Sequence, residues 1–449
     1  MNSLAEELKD DTPTTPSPSH EPGNGEVGSL APGPATLELA SPPPDGGLWA
    51  WLAVAAGFAI FMNTWGLIST YGVFQTYYES GILFHSSASD IAWIGSLQAS
   101  LTFFTCVIAG PIFDRGYLRQ LLLLGSFLVI FGFMMVSLCK ELWQLILAQG
   151  FCIGLGSGAL YSTVAPTLSQ YFRRRLGLAN GAAAAGSAFG GIIYPIAFHN
   201  LIPMVGFPWA TRILGFIALG TLIPPLLFLR LRFKPAKPRE FLDGSILRDY
   251  PFVTYMFGQM LAVIGLYTML FYVPSFAISR NITSDTLAFY LLPILNGASL
   301  LGRFVPNVLA DKFGALNVAP VTTFVCAILL FCMISIRSTA SLVVMASLFG
   351  FFSGAFVSLP GMALVVLTKD KSRVGTRIGM SLALTGFGAL AGGPGGGSVL
   401  QDYSRDDNWT SLFVYGGTAT TVSGILYLVA RALDLKEQRL EEKTSAAQH

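Results

Sequence analysis

Residues Gly110–Arg119 read GPIFDRGYLR, and residues Val305–Gly314 read VPNVLADKFG. Each stretch ends a long apolar run with an acid, a basic residue and a glycine. The acids Asp114 and Asp311 stand 311 − 114 = 197 residues apart. The basic clusters Arg173–Arg175 and Lys369–Arg373 repeat at almost the same offset. A repeat of that length in a 449-residue chain implies two homologous halves. The solvent follows from composition. Hydrophobic residues make up 53% and charged residues 12%, against about 25% charged in a soluble protein.

The halves are therefore sets of membrane spans. Apolar runs near the ~20 residues that cross a bilayer lie at about 48–74, 91–112, 121–139, 142–168, 178–199 and 209–229. A second six lie at about 252–276, 287–309, 318–336, 340–367, 376–400 and 410–432. The expected fold is an all-α polytopic membrane protein with twelve transmembrane helices in two pseudo-symmetric six-helix halves, residues 45–229 and 251–432. A basic linker, 230–250, joins them. The Pro-, Ser-, Thr- and Gly-rich start, 1–44, is expected to be a disordered tail, and 433–449 a second tail. No basic region leads into a short apolar one at the start, so no signal peptide is expected. Glycines four apart, such as Gly150, Gly154 and Gly158, Gly186 and Gly190, or Gly388, Gly392 and Gly396, give smooth stripes for close helix packing.

Charge sets the orientation. Sixteen Lys and Arg residues fall in the loops that share a side with the termini. Only five, Lys140, Arg212, Arg280, Arg337 and Arg405, fall on the other. By the positive-inside rule both termini are cytoplasmic. The sequons at Asn281 and Asn408 then fall in outside loops, where glycosylation is feasible.

Two six-helix halves with this loop resemble the major facilitator superfamily, whose signature between helices two and three matches Asp114, Arg115, Gly116 and Arg119. The resemblance implies a rocking carrier. Asp114, Arg115 and Arg119, with Asp311 and Lys312 in the second half, would form cytoplasmic latches that break as the halves move. Two further stretches resemble monocarboxylate porters, most strongly the fungal type. PPDGGLWAWL carries Asp45, Gly46, Gly47, Trp49 and Trp51 at the opening of the first helix. YFRRRLGLANGAAAAG carries Tyr171, Phe172, Arg174, Arg175 and Gly181 at the start of the fifth.

Arg303 sits eight residues before Asp311, about 12 Å into the hydrocarbon. An arginine there costs on the order of 3 kcal/mol on insertion scales, so it needs a partner or a wet cavity. The resemblance places it in the central cavity, where its planar fork would hold a substrate carboxylate; bracing Asp311 is the alternative. Two family features are missing: Ser299 stands where animal members have an aspartate, and Ile68 where they have a lysine. None of the 25 acidic residues falls well inside an expected span, so simple lactate–proton symport is not implied. Protons stay a candidate coupling ion. Polar cavity candidates are Asn63, Gln98, Gln149, Tyr161, Tyr194, Gln259, Tyr267, Asn296 and Ser299. The 34 phenylalanines suit an aromatic cavity for a larger anion.

Other chemistries lack their residues. No phosphate-loop motif G-x-x-x-x-G-K-[ST] occurs. The histidines are scattered and the five cysteines, expected buried within spans, show no CxxC pairing, so no metal or cofactor site is expected. Nothing points to nucleic acid or to an enzyme. The sequence reads as a secondary transporter, expected in the plasma membrane. Its partners would be the lipid bilayer and a small organic solute, an organic anion or carboxylate-like metabolite. Export of a secondary metabolite is the alternative, and a channel or non-transporting sensor is the rival of a different class.

Overall fold

A computed structural model describes residues 44–233, 242–370, 373–400 and 406–448. Nearly all of the expected N-terminal tail, residues 234–241 of the basic linker and the side chain of Asp311 lie outside the described residues. Among the described residues, ten helices are long and apolar enough to cross a membrane. They are α1 (Leu48–Glu79), α2 (Ala88–Asp114), α3 (Leu118–Val136), α4 (Leu142–Tyr171), Leu176–Phe228, α7 (Tyr250–Ser279), α9 (Ala315–Ser335), α10 (Thr339–Leu367), α11 (Val374–Val399) and α12, which runs Asp406–Gln448.

Leu176–Phe228 is two rods. Gly206 has φ 72° and ψ 170°, a conformation that glycine adopts readily, and the chain turns back there. Tyr194 and Thr221 both hydrogen-bond Asn63, although 221 − 194 = 27 residues of straight helix would separate them by about 40 Å. Residues 176–205 are α5 and 207–228 are α6. The pair Asp285–Gly302 and Val305–Phe313 is α8, broken at Arg303 and Phe304. This makes twelve rods.

Local chemistry explains where the rods start and bend. Ser87, Asp249, Ser284 and Ser338 accept backbone N–H bonds at the starts of α2, α7, α8 and α10, satisfying donors that the first helical turn leaves open. α1 breaks at Thr64, whose hydroxyl bonds back to Ile60 O at 3.0 Å. α4 widens to a π-helix over Ile146–Ile153, a form that collects at functional sites.

The side of the bundle that carries Asp45, Arg173–Arg175 and Asp243 is called here the linker face, and the opposite side the distal face. Contacts between the first six rods and the last six begin at the distal face. Ser89 Oγ donates to Pro394 O at 3.0 Å and Ser100 Oγ to Gly386 O at 2.8 Å, zipping α2 to α11. Tyr71 of α1 meets Phe271 of α7 with ring centroids 4.7 Å apart. Glycines allow this closeness: a Cβ on Gly72 would run into Leu270 O, and one on Gly393 into Ser96 Oγ.

Three features differ from the sequence reading, and a fourth adds to it. Asn408 lies in the first turn of α12, half-buried beside the fully buried Trp409, because the apolar face of α12 extends to its start. Cys139 lies past the end of α3, and Cys332 is exposed on the apolar outer surface. The C-terminal tail continues α12 as helix to Gln448, held by Lys369 to Glu437 and Glu441 at 2.9 and 2.6 Å.

Candidate functional site

On α8, Asn296, Ser299 and Arg303 are spaced three and four apart and so share one face. All three are buried. The stripe packs on α5 of the opposite half. Asn296 Nδ2 donates to Gly191 O at 3.4 Å, and a Cβ on Gly191 would collide with the Asn296 amide. Arg303 Nη1 donates to Ala184 O and to Ser187 Oγ. Arg303 is only 4% exposed, and a backbone carbonyl and a hydroxyl of the other half are among the groups that hold its charge. The break at Arg303–Phe304 frees this part of α8 from a straight path, and Arg303 N still bonds Ser299 O at 3.1 Å.

Of the remaining polar candidates, Tyr161 of α4 is electrostatically coupled to Arg303, Gln259 accepts from Ser381 Oγ at 2.9 Å within the second half, and Asn63, Tyr194, Gln98 and Gln149 bond away from this stripe. Asn63 is fully buried and satisfied within the first half, donating to Ala59 O and Thr221 Oγ1 and accepting from Tyr194 Oη at 2.6 Å. Gln149 accepts from Tyr78 Oη at 2.8 Å and reaches Gln98 at 3.5 Å. The π-helical turn sets its direction. Tyr267 is fully buried, and its hydroxyl has no hydrogen-bond partner among the described residues. A ligand or water would satisfy it, since buried hydroxyls are normally bonded. Its ring continues through Phe271, 5.1 Å away, to Tyr71, an aromatic wall from the central level towards the distal face.

On the linker face the two sequence motifs meet. Asp45, at φ 50°, directs Oδ1 at the backbone N–H groups of Arg173, Arg174 and Arg175, at 2.6, 2.8 and 3.4 Å. It caps the start of α5 from across the sequence. The Arg173 N–H in particular holds the carboxyl below its usual range. Gly47, at φ 90°, turns the chain into α1, while Gly46 has open space around it. Trp51 meets Phe172 edge-on at 5.5 Å. Arg230 lies over the Trp49 ring, and Tyr171 Oη donates to Arg230 O. Arg174 and Arg175 offer their backbones while their side chains are exposed. Gly181 comes within reach of Phe304 of α8.

Among the latch residues, Asp114 is buried at the end of α2, whereas Arg115, Arg119 and Lys312 are exposed. Gly116, at φ 93°, makes the turn between α2 and α3. A firmer ion cluster forms where the sequence reading placed only a linker. Arg377 Nε reaches Asp243 Oδ2 at 3.0 Å and Nη1 reaches Asp249 Oδ2 at 2.6 Å, while Arg373 Nη1 reaches Asp243 Oδ1 at 2.8 Å. Burial works against the charge on Asp243, but bonds from Ser245, Arg377 and Arg373 outweigh it and hold the carboxyl well below its usual range. The acids are near in sequence and the arginines 128 to 134 residues on, so no local pattern could reveal the cluster.

Twelve rods in two sets joined at a central arginine now stand beside a direct family match. Residues 51–359 and 295–448 match the model of the Major Facilitator Superfamily. The chain belongs to this superfamily. It is similar to the MFS-type transporter dbaD of Emericella nidulans, 48% identical over 386 residues that cover 86% of this chain and 87% of that one. It is also similar to the aspyridones efflux protein apdF of the same species, 34% identical over 401 residues, covering 89% and 81%. The fold resembles the crystal structure of a POT family transporter in complex with a thioalcohol conjugated peptide, at 15% identity and a TM-score of 0.69, over 86% of this chain and 98% of that one. This MFS protein is a multi-pass transporter of a small organic solute.

Proposed function

We propose that this MFS transporter exports an organic anion with an apolar, aromatic body, a secondary metabolite, by alternating access about Arg303. The observation that carries the reading is the Arg303 guanidinium, buried between the halves and bonded to Ser187 and Ala184. A carboxylate or enolate arriving at the centre offers the fork a charged, bidentate partner in place of a hydroxyl and a carbonyl. Taking it would release α8 from α5. The anion thereby makes a contact in one state that it cannot make in the other, as ligand-driven switching requires.

The aromatic wall of Tyr267, Phe271 and Tyr71 suits the apolar body, and the Tyr267 hydroxyl gives it one further bond. Asn296 and Ser299 line the same stripe as Arg303, while Asn63 and Gln149 brace the helices of the first half through Tyr194, Thr221 and Tyr78. Export is favoured by the similarity to a protein named for efflux. The linker face is taken as cytoplasmic, from the excess of Lys and Arg there, in the plasma membrane, with Asp114, Arg115, Arg119, Asp311 and Lys312 as its latches. Membership of the monocarboxylate porter branch is favoured by the contact between its two motifs, Asp45 on Arg173–Arg175 and Trp51 on Phe172.

Inside-out vesicles test the reading. Accumulation is measured for a panel of aromatic carboxylates, their methyl esters and aromatic amines. Uptake of a carboxylate but not its ester is expected. Uptake of ester and acid at equal rates, or of amines alone, overturns the anion reading.

A further inference from the structure

We propose that Glu79 is a proton-binding site that makes opening of the distal gate responsive to acidity on the distal side. The proposal rests on the alternating-access reading above but not on the identity of the solute. Glu79 closes α1. Its Oε1 accepts from Gln75 Nε2 at 2.5 Å and its Oε2 from Ser275 Oγ of α7 at 2.7 Å. Ser275 Oγ also lies 3.1 Å from Thr76 Oγ1. The carboxylate is thus a tie between the two halves, and the distal ends of α1 and α7 cannot part without breaking it. Glu79 has a further interaction besides these.

The same carboxylate borders a cavity of about 650 Å³ between the distal ends of α1, α5, α7 and α8, which includes Ser80, His199, Ser275, Asp285 and Phe289. Water in it would give protons from the distal side a short route to Glu79. Hydrogen bonds to an ionised acceptor are roughly twice as strong as neutral ones, so protonating Glu79 weakens the tie to Ser275. Opening, in turn, removes the Ser275 donor and leaves the carboxylate holding a proton more tightly. By linkage the two statements are one: protons on the distal side favour the open gate.

Other titratable groups face this corner. α1 contributes Tyr71 and α7 Tyr272, both electrostatically coupled to Glu79. α7 also ends in Arg280, which lies over the Phe276 ring at 5.8 Å. α5 contributes His199, stacked on Phe289 with centroids 4.6 Å apart, and α8 contributes Asp285 in its first turn. His199 and Asp285 are the two rivals for a pH response.

The test reads conformation and needs no substrate. Ser96 is fully buried on α2 against Gly393 and becomes reachable only when α2 and α11 separate distally. In sealed vesicles carrying Ser96→Cys, a membrane-impermeant maleimide is applied from the distal side, and the labelling rate above that of the parent protein is measured from about pH 7.5 down to about pH 4.5, with maleimide reactivity normalised on a free thiol. The rate is expected to rise at least about threefold. It should be high and flat with pH in Glu79→Gln, flat in Ser275→Ala, and still rising in His199→Gln and Asp285→Asn. A flat profile in the Ser96→Cys protein with Glu79 and Ser275 intact, or a slope that survives both Glu79→Gln and Ser275→Ala, overturns the proposal. A slope lost with His199→Gln moves the proton site to the histidine and equally overturns it. Failure of anion transport with the slope intact would instead count against the function proposed above.

Discussion

Arg303 gives its Nη1 protons to a carbonyl and a hydroxyl of the opposite half, so its two neighbours should differ in effect when altered. Ser187→Ala keeps the carbonyl and should lower transport about tenfold. Arg303→Ala removes the anchor and should lower it about 30-fold or more, the equivalent of ~2 kcal/mol for a buried charged contact, with surface expression unchanged. Initial rates in vesicles check both. Asp45 makes a separate, pH-dependent contribution. Its carboxyl is held below the usual range, so its stabilisation is full above about pH 4 and is lost as the pH falls through the depressed value. The thermal midpoint of Asp45→Ala should fall short of the parent's by a constant margin from about pH 6 to 8, a margin that narrows in strong acid. Asp45→Asn, which keeps an acceptor oxygen, should restore part of it. Arg303 was visible in the sequence because a charge in an apolar run stands out. Ser187 and Ser275 were not, since a serine in a membrane helix carries no mark of the partner that another helix brings.

At the scale of elements, the helices were legible wherever twenty apolar residues ran together. Their interruptions were not. The π-turn around Gln149 is set by packing rather than propensity, and the break at Arg303–Phe304 is marked only by Gly302 before it and Pro306 just after it, a proline that cannot donate to the preceding turn but is easily passed over inside an apolar run. Glycine stripes were legible as packing surfaces, and the structure separates those under pressure from those that are free. A Cβ on Gly186 would strike the Phe58 carbonyl and one on Gly302 the Phe351 carbonyl, whereas Gly177 and Gly379 have nothing within 4 Å. Gly186→Ala and Gly302→Ala should each cost about 1–3 kcal/mol or more, seen as a lower monodisperse yield and thermal midpoint in detergent. Gly177→Ala and Gly379→Ala should match the parent. The lock of Asp243 and Asp249 on Arg377 ties the segment before α7 to α11. Asp243→Ala leaves the buried Arg377 one acid short and should lower the midpoint too, with little change from Asp370→Ala at the exposed Arg373 pair.

At the scale of the molecule, the two halves were legible from the 197-residue repeat, but which face they close was not, since both faces repeat alike. The structure is closed distally, from Ser89 on Pro394 down to Arg303 on Ser187. A Cβ on Gly397 would lie 2.6 Å from the Ser89 Cα, so Ser89→Cys with Gly397→Cys should crosslink under mild oxidant and stop transport, and reductant should restore it. Orientation has its own reporter. Asn281 is exposed in the turn between α7 and α8, so in a eukaryotic host one glycan is expected there, lost in Asn281→Gln and unaffected by Asn408→Gln at the half-buried start of α12.

The central claim is that Arg303 reads the anion with its fork and not only with its charge. Counterflow of a labelled carboxylate in proteoliposomes, comparing the parent with Arg303→Lys, tests it most directly. The account predicts that the lysine protein inserts normally, keeps the Ser89–Gly397 crosslink in the double-cysteine background and loses exchange by about tenfold or more. Exchange at the parental rate by correctly inserted lysine protein would contradict it, leaving Arg303 as a brace between α5 and α8.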